Sequence, residues 1–146
     1  MSESALIVGT GLGLSASLAR LCASNGMKVA LAARNINKLE SLASEINAET
    51  IVCDASDINS VASLFENTDN SIGTPNLVVY NPSARIKGSI ADLDPEDTRN
   101  AINITCFGAF LVAQQASKRM LSRGSGSIFF TGASAGIKGF ANSAVF

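Results

Sequence analysis

Apolar and polar positions along the chain switch repeatedly between a period of two and a period near 3.6. Residues 5–8 (ALIV) form a short uncharged run, the pattern of a strand buried on both faces of a parallel sheet. The run enters Gly9, Gly11 and Gly13, and from Leu14 the period changes. Leu14, Leu18, Leu21 and Cys22 fall at i, i+4, i+7 and i+8, which predicts the buried face of a helix closed at Asn25-Gly26. The alternation then recurs. Residues 28–33 (KVALAA) read as a second strand, and Ile36, Leu39, Leu42, Ala43 and Ile46 mark a second helix. Residues 50–53 read as a third strand ending at Asp54, and Asp57 caps a third helix with the apolar face Ile58, Val61, Ala62 and Phe65. Thr74-Pro75 precedes a fourth strand at 76–80, and residues 81–93 are the longest irregular stretch. Asp94-Pro95-Glu96 combines a cap, a first-turn proline and an acid at the positive dipole end, so a long helix starts there and runs to about Ser122. Residues 128–131 form the fifth strand. Strands alternating with helices across short joints predict an α/β fold, a doubly wound parallel sheet with right-handed crossovers.

The long helix breaks the amphipathic rule. Ala101, Ile102, Ile104, Cys106, Phe107, Ala109, Phe110, Leu111, Val112 and Ala113 are apolar nearly all the way round it. One face packs on the sheet and the other needs a second cover. Burying a Phe or Leu is worth ~1.5–3 kcal/mol, so leaving several in water is costly. A homo-oligomer through residues 96–122 is therefore expected. The chain also stops on SAVF, apolar and without a closing element, which predicts a chain cut short and a poorly soluble 146-residue form.

A length of 146 residues suits one domain, residues 1–146, with a substantial core. Apolar residues make up 47% and charged residues 16%, an excess that fits a doubly covered sheet, an oligomer, or both. Net charge is −1 and no basic cluster exceeds the pair Lys118 and Arg119, so no nucleic-acid partner is expected. No apolar run reaches ~18 residues, and the opening MSES is polar, so neither a membrane span nor a secretory signal is expected. Cys22, Cys53 and Cys106 are odd in number, far apart and set among apolar residues, which reads as buried thiols in a reducing cytoplasm. Histidine is absent. That removes His-based acid–base catalysis, Ser-His-Asp triads and nearly every familiar zinc site, and no metal is expected.

Strand, glycine-rich turn and helix let a backbone approach a phosphate, since glycine removes the Cβ and N–H groups at the helix start point at the anion. Gly9-x-Gly11-x-Gly13 suits a methyltransferase binding S-adenosylmethionine as well as a dehydrogenase, and a purely structural turn also uses glycine. Counting back from Ala19, Ala23 and Gly26 gives the register Gly9-x-x-x-Gly13-x-Ser15. This resembles the Gly-x-x-x-Gly-x-Gly turn of the short-chain dehydrogenases/reductases, with Ser15 in place of the last glycine. In that family the glycine lets helix and strand pack closely, and an added group costs ~1–3 kcal/mol where the site cannot relax. Cys53-Asp54 stands where the family has the Asp that meets the adenine amino group. Tyr80-Asn81-Pro82-Ser83 stands at the family's Asn-Asn-Ala-Gly and keeps the second Asn. FGAFLVAQQASKRM and GSIFFTGASAG resemble the family's fourth helix and fifth strand.

The resemblance implies a Rossmann-like sheet in the order 3-2-1-4-5, with the C-terminal strands and helices of the full fold missing. It implies a cofactor site at Gly9, Thr10, Gly11, Leu12, Gly13, Leu14, Arg34, Asn35, Asp54, Ala55, Asn81 and Ser83. The irregular stretch 81–93 would lie outside the carboxyl ends of the strands, where ligands bind. At the end of the second strand, Ala33-Arg34-Asn35 carries no carboxylate between Val29 and Lys38 to accept from the ribose hydroxyls of NAD. Arg34 can instead pair with a 2′-phosphate, a contact worth ~1.5–3 kcal/mol or a ~10–150-fold preference. NADP is expected over NAD, and both over S-adenosylmethionine.

Catalysis in this family uses a tyrosine, a lysine, a serine and an asparagine. Three residues before Gly108 the asparagine position holds Thr105, with Asn103 out of register. The serine position is Ala133, with Ser134 one residue late, and the tyrosine position is Phe146. Phenylalanine has no ionisable proton, and general acid–base catalysis contributes typically ~10²–10⁴-fold. Ser134 or a water is the fallback donor. A shifted register, with Ser134 as the serine and the tyrosine just past Phe146, would restore the usual site. The expected function is an NADP-dependent oxidoreductase acting on a small alcohol or carbonyl compound. The alternative is a non-catalytic NADP-binding sensor or partner subunit, and the missing acid after the second strand disfavours a methyltransferase.

Overall fold

In the computed structural model, which describes residues 3–143, five strands form one parallel sheet. In chain order the elements are β1 (Ser4–Val8), α1 (Leu14–Ser24), β2 (Lys28–Ala33), α2 (Glu40–Ile46), β3 (Glu49–Val52) and α3 (Ile58–Ser71). They continue with β4 (Leu77–Tyr80), α4 (Pro95–Ile102), α5 (Gly108–Arg123) and β5 (Ser127–Phe130). The strand order is β3-β2-β1-β4-β5, a Rossmann-like arrangement with its reversal between β1 and β4.

The uncharged sequence of β1 follows from its place at the centre. Every residue of β1 is buried, and its neighbours β2 and β4 run parallel to it on either side. Alternate side chains feed two cores. Leu6 and Val8 join Val61, Leu64 and Phe65 of α3 and Leu111, Val112 and Ala116 of α5. Ala5 and Ile7 join Ala16, Ala19 and Cys22 of α1 and Leu42 of α2 on the opposite face. Two caps behave as the pattern predicts. Asp57 accepts from the Ser60 amide, and Asp94 accepts from the amides of Glu96 and Asp97.

Several local expectations are corrected. Leu14 and Leu21 are 57% and 59% exposed, and the buried side of α1 is Ser15, Ala16, Ala19 and Cys22. Small side chains fill the contact with the sheet, and these two leucines turn outward. Ile58 is likewise exposed, the buried line of α3 passing through Val61, Leu64, Phe65 and Thr68. Cys22 and Cys53 are buried thiols, but Cys106 is exposed. The single long helix expected from residue 94 to about 122 is two α-helices joined by a π-helical turn at Asn103–Phe107. Ile102, Phe107 and Phe110 stand exposed around that turn, with the two phenylalanine rings stacked at 6.1 Å. β3 and β5 each begin and end one residue earlier than the pattern placed them.

Candidate dinucleotide cleft

The turn after β1 is built by a steric necessity. Gly9 has φ +78°, and a Cβ there would lie 2.5 Å from the backbone nitrogen of Pro82. The amides of Gly9 and Thr10 both donate to the Ala32 carbonyl at 2.9 Å, tying the turn to the end of β2. The Thr10 hydroxyl points inward and donates to the Ile7 carbonyl at 2.8 Å. Gly11 and Gly13 differ from Gly9, because a Cβ at either would meet no atom within 4 Å. Beyond them α1 starts without a side-chain cap and without an acid in its first turn. Its N–H groups and positive dipole end are arranged to receive an anion.

A cleft of about 570 Å³ opens at the carboxyl ends of the strands. Val8, Gly9, Thr10 and Gly11 form its wall on the β1 side. Ala33, Arg34, Asn35 and Lys38 line it beyond β2, and Cys53, Asp54 and Ala55 beyond β3. The segment after β4 supplies Asn81, Pro82, Ser83, Ala84 and Arg85, and the π-helical turn supplies Ile104. Of the expected cofactor residues, Leu12, Gly13 and Leu14 do not line the cleft. Leu12 is 74% exposed, on the outer side of the turn. Pro82, Ala84 and Arg85 come from the stretch 81–93 expected on the ligand side, whereas Lys38 and Ile104 were not anticipated; Lys38 sits on the 3-10 turn Asn37–Leu39, four residues after Arg34.

The far end of the cleft is charged. Asp54 Oδ1 accepts from both the amide and the hydroxyl of Ser56, at 2.9 and 2.7 Å. These bonds hold its carboxyl below the usual range, and the nearby Arg34 guanidinium acts in the same direction. Asp54 therefore stays ionised and pre-oriented at neutral pH. Burial pushes the Cys53 thiol up, so it presents a neutral, unreactive wall. Asn35 uses its side-chain oxygen to accept from the Asn37 amide and so shapes the bend that carries Arg34 and Lys38.

The expected catalytic positions are not gathered in this cleft. Thr105 lies outside it, and its hydroxyl accepts from the Ala84 amide at 3.2 Å, holding the loop after β4. Ala133 and Ser134 are exposed and do not line it. Phe146 lies outside the described residues. Tyr80, at the family's first Asn position, is buried and donates from its hydroxyl to the Ile104 carbonyl in the π-helical turn. Burial pushes that hydroxyl far above its ordinary value, so Tyr80 is a neutral strut and no proton donor near neutral pH. Gly108 admits this arrangement, since a Cβ there would lie 2.5 Å from the Ala55 carbonyl.

The family model described as short chain dehydrogenase matches residues 3–146. The chain belongs to the short-chain dehydrogenase family. Among its relatives, the 3-oxoacyl-[acyl-carrier-protein] reductase of Bos taurus is 24% identical over 148 residues, covering 100% of this chain and 62% of that protein. An uncharacterized short-chain type dehydrogenase/reductase of Sinorhizobium fredii is 30% identical over 144 residues, covering 99% of this chain and 56% of its own length. The crystal structure of a variant actinorhodin polyketide ketoreductase with NADPH superposes with a TM-score of 0.94 at 26% identity, covering 99% of this chain and 58% of that one. The chain thus spans about three-fifths of the length of these relatives. Among the described residues no helix is long and apolar enough to cross a membrane.

Proposed function

We propose that this short-chain dehydrogenase binds NADP in the cleft and belongs to an oxidoreductase acting on a small carbonyl or alcohol compound. The observation that supports this most strongly is the pairing of the two cleft ends. The open Gly11, shortly before a cap-free helix start, suits the diphosphate at one end, and Arg34 with Lys38 suits a 2′-phosphate at the other. The residues present fit the group: its diphosphate would meet the backbone of the turn at Gly11, and its adenine would lie toward Asp54. Bound there, NADPH supplies a hydride, while this chain's residues bind, orient and shield it. The related ketoreductase with NADPH supports the same choice, as does the lack of a carboxylate between Val29 and Lys38.

Titrating the protein with NADPH, NADH and S-adenosylmethionine separately tests the reading. NADPH binding tighter than NADH by at least tenfold is expected; S-adenosylmethionine binding in place of both would overturn it. The second reading, a non-catalytic NADP-binding sensor or partner subunit, is favoured by one observation: Thr105, Ala133 and Ser134 do not line the cleft, and the Thr105 hydroxyl accepts from the Ala84 amide. A panel of carbonyl substrates with NADPH separates the two, turnover favouring the enzyme and binding without turnover the sensor. A second copy of the chain is the proposed partner for the exposed Ile102, Phe107 and Phe110, and the free thiols fit a reducing cytoplasm.

A further inference from the structure

Ser15 is 1% exposed, a hydroxyl on the buried side of α1. A polar side chain there is tolerable only if its hydrogen bonds are made. Both directions are used. Its Oγ donates to the Gly9 carbonyl at 3.3 Å and accepts from Nδ2 of Asn81 at 2.7 Å. The other end of that amide is occupied too, since Oδ1 of Asn81 accepts from the Thr131 hydroxyl at 2.7 Å. Backbone bonds run alongside: the Asn81 amide donates to the Val8 carbonyl at 2.9 Å, and the Thr131 amide to the Tyr80 carbonyl at 3.1 Å. The glycine-rich turn, the end of β4 and the end of β5 are thereby joined across the reversal point of the sheet.

We propose that Ser15 is a positioning residue whose hydroxyl fixes the glycine-rich turn over the sheet and couples it, through Asn81, to Thr131 at the end of β5. The tie itself stands on this geometry; its consequence for cofactor binding rests on the NADP reading above. The idea inverts what the resemblance leads one to expect. Glycine at position 15, the family's residue, would take the acceptor from Asn81 Nδ2 and the side-chain donor from Gly9. Asn81 lines the cleft, so its amide would be released where the cofactor must dock. A serine that only filled space would behave like alanine, with no effect on Thr131.

The full chain is tested as wild type, Ser15→Ala, Ser15→Gly, Thr131→Val and the double variant Ser15→Ala with Thr131→Val. Two readouts are needed: NADPH affinity by fluorescence titration, and amide hydrogen exchange of the ligand-free protein at Gly9, Thr10 and Thr131. Ser15→Ala and Ser15→Gly are expected to weaken NADPH about tenfold and to speed exchange at Thr131 as well as in the turn. The double variant is expected to bind no worse than the weaker single one, because both break the same chain of bonds. Wild-type affinity with unchanged exchange in the Ser15 variants, or additive losses in the double variant, would overturn the proposal. Wild-type protein that ignores NADPH would sink the NADP reading alone, and the exchange rates would still judge the tie. Thr131→Val is exposed and outside the cleft, so its effect on exchange at Gly9 and Thr10 decides the matter even if the Ser15 variants fail to fold.

Discussion

Replacing Gly9 and Gly11 in turn by alanine asks the same chemical question at two places two residues apart, with opposite outcomes expected. At Gly9 the backbone has φ +78°, which costs an L residue roughly 1–2 kcal/mol. The new Cβ would also lie 2.5 Å from Pro82 N and 2.7 Å from two of its ring carbons, and the nearest of these is backbone. Either β1 or the segment after β4 must move, an overpacking cost of about 1–3 kcal/mol. The sum, about 2–5 kcal/mol, corresponds to a fall in melting temperature of roughly 5–15 °C for a chain of this size. At Gly11 the backbone is ordinary and a Cβ meets nothing within 4 Å, so Gly11→Ala should leave the ligand-free protein within ~0.5 kcal/mol of wild type. Its cost should appear only with NADPH, because a methyl group there occupies the space through which the diphosphate reaches the N–H groups of α1. Calorimetry of both variants with and without saturating NADPH reads all four quantities. A Gly9→Ala protein as stable as wild type, or a Gly11→Ala protein with unimpaired NADPH binding, would refute the reasoning.

Arg34→Glu should weaken NADPH by at least tenfold while leaving NADH affinity equal or higher, since one charge-assisted contact is removed, a like charge is set against the 2′-phosphate, and the new carboxylate can accept from the ribose hydroxyls of NADH; competitive titration checks it. Asp54, whose folded carboxyl lies below its unfolded value, contributes stability that is fully present above the unfolded range near ~4 and is lost as pH falls through the lower folded value. Denaturant midpoints from pH 7 to pH 2 should therefore fall more steeply for wild type than for Asp54→Asn. Phe110→Glu, on the exposed side of α5, should convert a dimer to a monomer in light scattering with little change in NADPH affinity; an unchanged mass would remove the proposed second-copy interface.

The sheet order was legible through the family resemblance, and the place of the cleft because two signals coincide in this sequence. Short apolar runs such as ALIV and VALAA suit a strand covered on both faces, and the glycines after the first run mark where a backbone turns tightly. The buried face of α1 was misjudged for a physical reason. Periodicity weights large apolar residues, whereas a helix lying close on a sheet buries Ser15, Ala16 and Ala19 and sends Leu14 and Leu21 outward. The π-helical turn left no trace because the stretch around it, from Ala101 to Ala113, is apolar on nearly every side, so one extra residue in a turn shifts no clear polar face. Lys38 was missed because its place on the 3-10 turn after Arg34, which puts both on the cleft, is not marked by any periodicity, although its charge was in view. The Ser15–Asn81–Thr131 chain joins residues 66 and 50 positions apart, a separation at which local pattern carries no information.

Backbone amide spectra recorded during a titration with NADPH test the central claim most directly. The account predicts saturable shifts at Gly11 in the turn before α1, at Arg34 and Lys38, and at Asp54 and Asn81. NADPH shifts confined to other parts of the molecule, or none at saturating concentration, would contradict it.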